Sequence, residues 1–143
     1  MTAAAERVGV EFGRLDVLVN NAGIGDALDG APSAADIEAI RRIFDTNFFG
    51  TLAVTQAMLP LLRRSSAARI VNVSSLIGSL AAQNDPASPV RGFPLPAYGV
   101  SKTAVNAWTV QLANELQDTP IKVNAVHPGS VKTDMNSVGD LDV

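Results

Sequence analysis

Tyr98 is the only tyrosine in this chain of 143 residues, and a lysine, Lys102, follows it four residues later. Residues four apart on a helix lie on one face, so the ammonium of Lys102 can approach the phenol of Tyr98. A unit charge at about 4 Å in an effective dielectric of about 20 contributes roughly 4 kcal/mol. That energy suffices to lower the pKa of a phenol toward neutrality. The pair therefore predicts a tyrosine that acts as a general acid or base.

The same spacing has a purely structural interpretation. Tyr98 could pack at the start of a helix while Lys102 is a solvated surface residue. The chain contains three lysines, so one of them can match the spacing by chance. The remaining motifs have to decide between the two interpretations.

The composition narrows the class of protein. Hydrophobic residues make up 47% of the chain and charged residues 17%, which is typical of a globular protein. A net charge of −3 gives no electrostatic reason to expect nucleic acid or an anionic membrane as a partner. No apolar run approaches the length that spans a bilayer. With no cysteine and one histidine, we expect no disulfide and no metal site, and we expect a cytoplasmic location.

Three short apolar runs alternate with segments of helical periodicity. The runs at 15–19, 70–73 and 121–126 predict buried parallel strands. Helices are expected over 3–13, from Ile37 to Phe44 behind a Ser33–Asp36 capping box, from Asn47 to Leu62, and from Tyr98 to about Gln117. Strands separated by helices predict an α/β fold with a parallel sheet.

Polar or turn residues follow each predicted strand. Asn20-Asn21-Ala22-Gly23 follows the first strand, Ser74-Ser75 the second and Pro128-Gly129 the third. Carboxyl ends of parallel strands share one edge of the sheet, where open α/β sheets bind ligands. We therefore expect a ligand-binding site at this edge of the sheet.

With these residues placed, the chain resembles the short-chain dehydrogenase/reductase family. The matching motifs, in the family's order, are Asn20-Asn21-Ala22-Gly23, Asn47, Val73-Ser74-Ser75, Tyr98-x-x-x-Lys102 and Pro128-Gly129 with Thr133. The resemblance implies a partial Rossmann-like parallel sheet with flanking helices, in a three-layer α/β/α arrangement. It also implies one partial domain over residues 1–143, equivalent to the C-terminal two-thirds of the family's catalytic domain.

The resemblance further implies an NAD(P)-dependent oxidoreductase that moves hydride between nicotinamide and a carbonyl or alcohol substrate. Tyr98 would exchange the proton, while Lys102 would lower its pKa and bind the nicotinamide ribose. Ser75 would hold the substrate oxygen, and Asn47 would anchor a water chain to Lys102. The cofactor, NAD or NADP, would also be lined by Asn20, Ala22, Gly23, Pro128, Gly129, Val131 and Thr133.

Structural interpretations stand beside these roles. Asn20 could cap strand backbone, Asn47 could start a helix, and Ser75 could simply form a turn. Trp108 is expected in the core, and Asn106 in packing or solvent. The family order favours the functional interpretation of the whole set.

The family's glycine-rich turn, which holds a pyrophosphate at a helix N-terminus, is absent from this sequence. The resemblance therefore implies a fragment that lacks the first strands and the last one. Its run at 15–19 would form an open apolar edge that invites aggregation or complementation. An inactive fragment or an interaction module is thus the alternative to an enzyme, and an epimerase or dehydratase is a third possibility. A homo-oligomer is expected for the complete protein.

Overall fold

The structure of the chain is a computed structural model, which describes residues 2–25 and 30–132. Its helices are α1 (Thr2–Phe12), α2 (Ile37–Phe44), α3 (Thr51–Leu62), α4 (Leu80–Asn84) and α5 (Pro96–Glu115). Its strands are β1 (Val17–Asn20), β2 (Arg69–Val73) and β3 (Lys122–Val126). None of the described helices has the length and hydropathy that a membrane crossing requires.

The three strands form one parallel sheet in the order β1-β2-β3. The N–H of Ser74 donates to the carbonyl of Val126 at 2.8 Å, which ties the carboxyl ends of β2 and β3 together. This arrangement confirms the predicted α/β fold with a parallel sheet. Within the described residues β1 pairs only with β2, so it is an edge strand, as expected.

Helices α3 and α5 cover one face of the sheet. Leu18 lies beside Ile70 in the register, and Ile70 beside Val123, so all three side chains point to that face. The core on this face is the cluster Leu62, Ala68, Ile70, Leu112, Leu116, Ile121 and Val123. Sheet and helices together belong to the three-layer α/β/α architecture, of which the described residues supply the sheet and this helical layer.

Two asparagines of the sheet anchor the helical layer. Nδ2 of Asn20 donates to Oγ1 of Thr55 on α3 at 2.9 Å and to Oδ1 of Asn72 at 2.8 Å. Nδ2 of Asn72 donates to Oγ1 of Thr109 on α5 at 2.8 Å. Because all four groups are buried, each bond satisfies a polar group that water cannot reach.

The expected break between two helices near Asn47 is wrong. Helix α2 continues through a π-helical turn, Asp45–Gly50, directly into α3. A π turn adds a residue to a helical turn without ending the helix, and such turns are frequent at functional sites. Asn47 lies inside this turn and is buried.

Two local expectations also need correction. The cap of α2 is Asp36, whose side chain accepts the N–H of Glu38 at 3.0 Å, whereas Ser33 lies in a separate 3-10 turn, Pro32–Ala34. The proline-rich loop before Tyr98 contains the short helix α4, capped by Ser79, which the sequence did not indicate.

Candidate active site

A serine and a tyrosine meet where β2 ends and α5 begins. Ser75 follows β2 and caps a 3-10 turn, Leu76–Gly78, by accepting the N–H of Ile77 at 3.3 Å. Tyr98 lies in the first turn of α5, which begins at Pro96, a residue with its backbone angle already fixed for a helix start. The side chain of Ser75 lies within hydrogen-bonding reach of the phenol of Tyr98 and acts to lower its pKa. The structure thus brings together two residues that lie far apart in the sequence.

Close approach of the 3-10 turn to α5 makes this contact possible. A Cβ placed on Gly78 would lie 2.8 Å from Cβ of Lys102 and 2.9 Å from its carbonyl carbon. A Cβ on Gly99 would lie 2.9 Å from Cγ2 of Ile77. Only glycine leaves room at either position. Sequence reasoning gave neither glycine a role, although both are close in sequence to Ser75 or Tyr98.

The carbonyl of Gly78 is held by two side chains of α5. Oγ1 of Thr103 donates to it at 3.0 Å, and Nδ2 of Asn106 donates at 3.1 Å. Asn106 therefore fastens the turn beside Ser75, a more specific role than the packing or solvent exposure expected for it.

Lys102 lies on the Tyr98 face of α5, as the spacing predicted. Its Nζ lies 5.5 Å from the centre of the Tyr98 ring and donates to the carbonyl of Val73 at 2.8 Å. The side chain is only 4% exposed, and this burial lowers the pKa of Lys102 below its ordinary value.

The expected lowering of the Tyr98 pKa is wrong for the chain without ligands. Burial raises the pKa of Tyr98 above its ordinary value, and the hydrogen bond with Ser75 opposes this in part. Removing a phenolate from water is the larger effect. At neutral pH Tyr98 is therefore protonated.

The side chain of Asn47 makes three hydrogen bonds within the protein. Its Oδ1 accepts the N–H of Ile24 at 2.8 Å, and its Nδ2 donates to the carbonyl of Ile24 at 2.9 Å and to Oγ of Ser101 at 3.0 Å. Its backbone carbonyl accepts the hydroxyl of Thr51 at 2.8 Å. The side chain thus joins the loop after β1 to α5.

The motif Asn20-Asn21-Ala22-Gly23 lies partly in the core and partly at the edge of the sheet. Asn20 directs its amide into the helical layer, so a ligand at the edge would meet its backbone and not its side chain. Ala22 is exposed, and Gly23 is half-buried beside the lysine. A Cβ on Gly23 would lie 3.4 Å from Nζ of Lys102 and 3.5 Å from Oδ1 of Asn47. Glycine places no side chain against either group.

The turn Pro128-Gly129 lies at the same carboxyl edge of the sheet. It follows β3, with Pro128 exposed and Gly129 at a φ of 91°, a value that favours glycine. Val131 is half-buried. Thr133 lies outside the described residues.

The parallel sheet carries Ser75, Tyr98 and Lys102 at its carboxyl edge, where sheets of the Rossmann type bind their ligands. The family model for short chain dehydrogenase matches residues 1–141. The chain belongs to the short-chain dehydrogenase/reductase family.

Three similar proteins illustrate this membership. A short-chain dehydrogenase, anuI, of Penicillium roqueforti is 40% identical over 137 residues, which are 93% of this chain and 54% of that protein. The C-signal of Myxococcus xanthus is 38% identical over 123 residues, 86% of this chain and 69% of that protein. The solved structure of an NADPH-bound carbonyl reductase from chicken fatty liver is 31% identical, with a TM-score of 0.84 over 99% of this chain and 58% of that one.

The chain is shorter than most of these relatives. It spans about half the length of the first relatives it matches, from 44% to 55%. The family's oxidoreductase character is therefore shown by resemblance, and the activity of this chain is a separate question.

Proposed function

We propose that the chain carries the acid–base half of an NAD(P)-dependent oxidoreductase that acts on a carbonyl or alcohol, with Tyr98 as general acid and base. The observation that carries the proposal is that Ser75 lies beside the phenol of Tyr98, with the ammonium of Lys102 5.5 Å from the ring centre. Nucleotide-bound solved structures within the family support a nicotinamide cofactor.

The residues around Lys102 fit the ribose side of such a cofactor. An ammonium has three donors, and among the described residues Val73 accepts one of them, so two can bind ribose hydroxyls. Gly23 places no side chain in the space beside Nζ. Loop residues Asn21 and Ala22 are exposed next to this space, and Pro128, Gly129, Val131 and Thr133 are proposed for the nicotinamide side. When bound, the reduced nicotinamide would supply the hydride.

The protonation state of Tyr98 supports its role as an acid. A buried phenol that holds its proton at neutral pH is ready to give that proton to the oxygen of a carbonyl as the oxygen gains negative charge. The hydroxyl of Ser75 would donate a hydrogen bond to the same oxygen. In the opposite direction Tyr98 would first have to lose its proton, which burial opposes.

The first experiment is a titration of the chain with NADH and with NADPH, followed through the fluorescence of the nicotinamide and of Trp108, the only tryptophan. We expect saturable binding of one of the two. Carbonyl substrates should then be reduced, and Tyr98→Phe should lower turnover about 10²- to 10⁴-fold while binding is retained. Trp108→Phe, with the nicotinamide signal alone, controls for the fluorophore. Turnover by Tyr98→Phe at the wild-type rate would contradict the proposal.

A noncatalytic interaction module is the second candidate. The face of the sheet opposite α3 and α5 exposes Val17, Val19 and Val126, which is unusual for a parallel sheet. The similar protein from Myxococcus xanthus is named as a signal and not as a dehydrogenase. A folded chain that binds neither nucleotide at millimolar concentration would favour this candidate.

A cytoplasmic location and a homo-oligomer for the complete protein stay predictions, to be checked by fractionation and sedimentation.

A further inference from the structure

A buried hydroxyl lies between two parts of the candidate site. Ser101 is 0% exposed. Its Oγ donates to the carbonyl of Tyr98 at 2.7 Å and accepts Nδ2 of Asn47 at 3.0 Å. Neither the acid–base role nor the cofactor-binding roles proposed above use this side chain.

The hydroxyl completes a chain of hydrogen bonds from the sheet edge to the catalytic helix. Asn47 is paired with both backbone groups of Ile24, in the loop after β1. A serine hydroxyl has one donor and two acceptor sites, so Ser101 can hold Asn47 and Tyr98 at once. Its single proton is used by Tyr98, which fixes the orientation of the hydroxyl. The first turn of α5 is thereby held against the π turn.

We propose that Ser101 is a positioning residue, which ties the first turn of α5 to Asn47 and so keeps the phenol of Tyr98 against Ser75. The inference rests on the proposed function only in treating Tyr98 as the acid–base residue. The position of Tyr98 itself can be measured without cofactor or substrate.

The same helix offers a matched control. Oγ1 of Thr109 donates to the carbonyl of Val105 at 2.7 Å and accepts Nδ2 of Asn72 at 2.8 Å. Thr109 is also buried. It therefore makes the same two kinds of bond as Ser101, but about 16 Å along the helix from Tyr98. Thr109→Val and Ser101→Ala each remove one hydroxyl and leave one buried asparagine N–H without its acceptor.

The test is a titration of the tyrosinate absorbance of the whole chain, which reports on Tyr98 alone because it is the only tyrosine. We expect Ser101→Ala to shift the midpoint down, toward that of the urea-unfolded chain, because burial is the larger influence on Tyr98 and a loosened turn admits water. Ser101→Cys, whose thiol is a weak donor and acceptor, should give an intermediate midpoint. Thr109→Val should keep the wild-type midpoint while losing stability in urea.

An unchanged or raised midpoint in Ser101→Ala, at a stability like that of Thr109→Val, would overturn the proposal, since the hydroxyl would then only support the fold. Equal downward shifts in Ser101→Ala and Thr109→Val would overturn it as well. If Ser101→Ala does not fold, the comparison of Ser101→Cys with Thr109→Val decides. Failure of the wild-type chain to bind NADH or NADPH would count against the proposed function and would not alter this result.

Discussion

Burial pushes Tyr98 and Lys102 toward their neutral forms, with opposite consequences for stability. The pKa of Tyr98 is raised in the folded chain. Its contribution to the free energy of unfolding is therefore fully present below the ordinary pKa of tyrosine, and it is lost as the pH rises through the folded-state pKa. The pKa of Lys102 is lowered in the folded chain. Its contribution to the free energy of unfolding is therefore present above the ordinary pKa of lysine, and it is lost as the pH falls through the folded-state pKa. Burial therefore destabilises the charged form of Lys102, whereas the protonated phenol of Tyr98 carries no such penalty at neutral pH.

Lys102→Met is therefore expected to stabilise the fold at neutral pH, by an amount on the order of 1 kcal/mol, because it keeps the apolar stem and removes a buried charge. The gain should shrink as the pH rises through the lowered pKa of Lys102. Urea unfolding at neutral and alkaline pH measures both effects. Lys122→Met, at an exposed lysine of β3, is the matched control and should show neither. A loss of stability in Lys102→Met would show that the bond to Val73 outweighs desolvation.

Among the elements, the 3-10 turn packs closely against α5. Gly78→Ala would place a Cβ within 2.9 Å of the backbone of Lys102, which cannot move without shifting α5. We expect a loss of about 1–3 kcal/mol in the free energy of unfolding, typical of overpacking. The hydrogen bonds of Thr103 and Asn106 to Gly78 should weaken together with the contact between Ser75 and Tyr98. Urea unfolding and the tyrosinate titration measure the two consequences.

The control for Gly78→Ala is Gly9→Ala, in the middle of α1. A Cβ there would lie 3.4 Å from Cδ2 of Leu61, an ordinary contact. Alanine favours a helix over glycine by about 0.5–1 kcal/mol, so this variant should be as stable as wild type or more stable. Equal stability of Gly78→Ala and Gly9→Ala would contradict the close approach.

The elements also show what the sequence could predict. Apolar runs between helical segments sufficed for three parallel strands, and the i to i+4 spacing sufficed to place Lys102 on the Tyr98 face. The π turn at Asn47 was beyond reach because periodicity marks a helix without showing one extra residue in a turn. The inward amide of Asn20 was equally hidden, since both faces of a strand in a parallel sheet can be apolar. The pKa of Tyr98 depended on burial, which only the packing determines.

For the molecule as a whole, the two faces of the sheet differ in how far the described helices cover them. One face packs against α3 and α5, while Val17 and Val19 on the other face are 54% and 53% exposed. Parallel sheets are normally covered on both faces. The open edge at β1 was expected from the sequence, whereas the open face was not. Edge and face together make association the main hazard for this chain.

Val17→Thr with Val19→Thr should therefore raise the concentration at which the chain associates, because threonine keeps the β-branched shape and exposes less apolar surface. Light scattering and sedimentation measure this effect, and the free energy of unfolding should change by no more than about 0.5 kcal/mol per exposed site. Val10→Thr, at a valine 91% exposed on α1, is the control for the substitution itself and should associate like wild type. If the double variant also associates like wild type, the sheet face is not the surface that drives association.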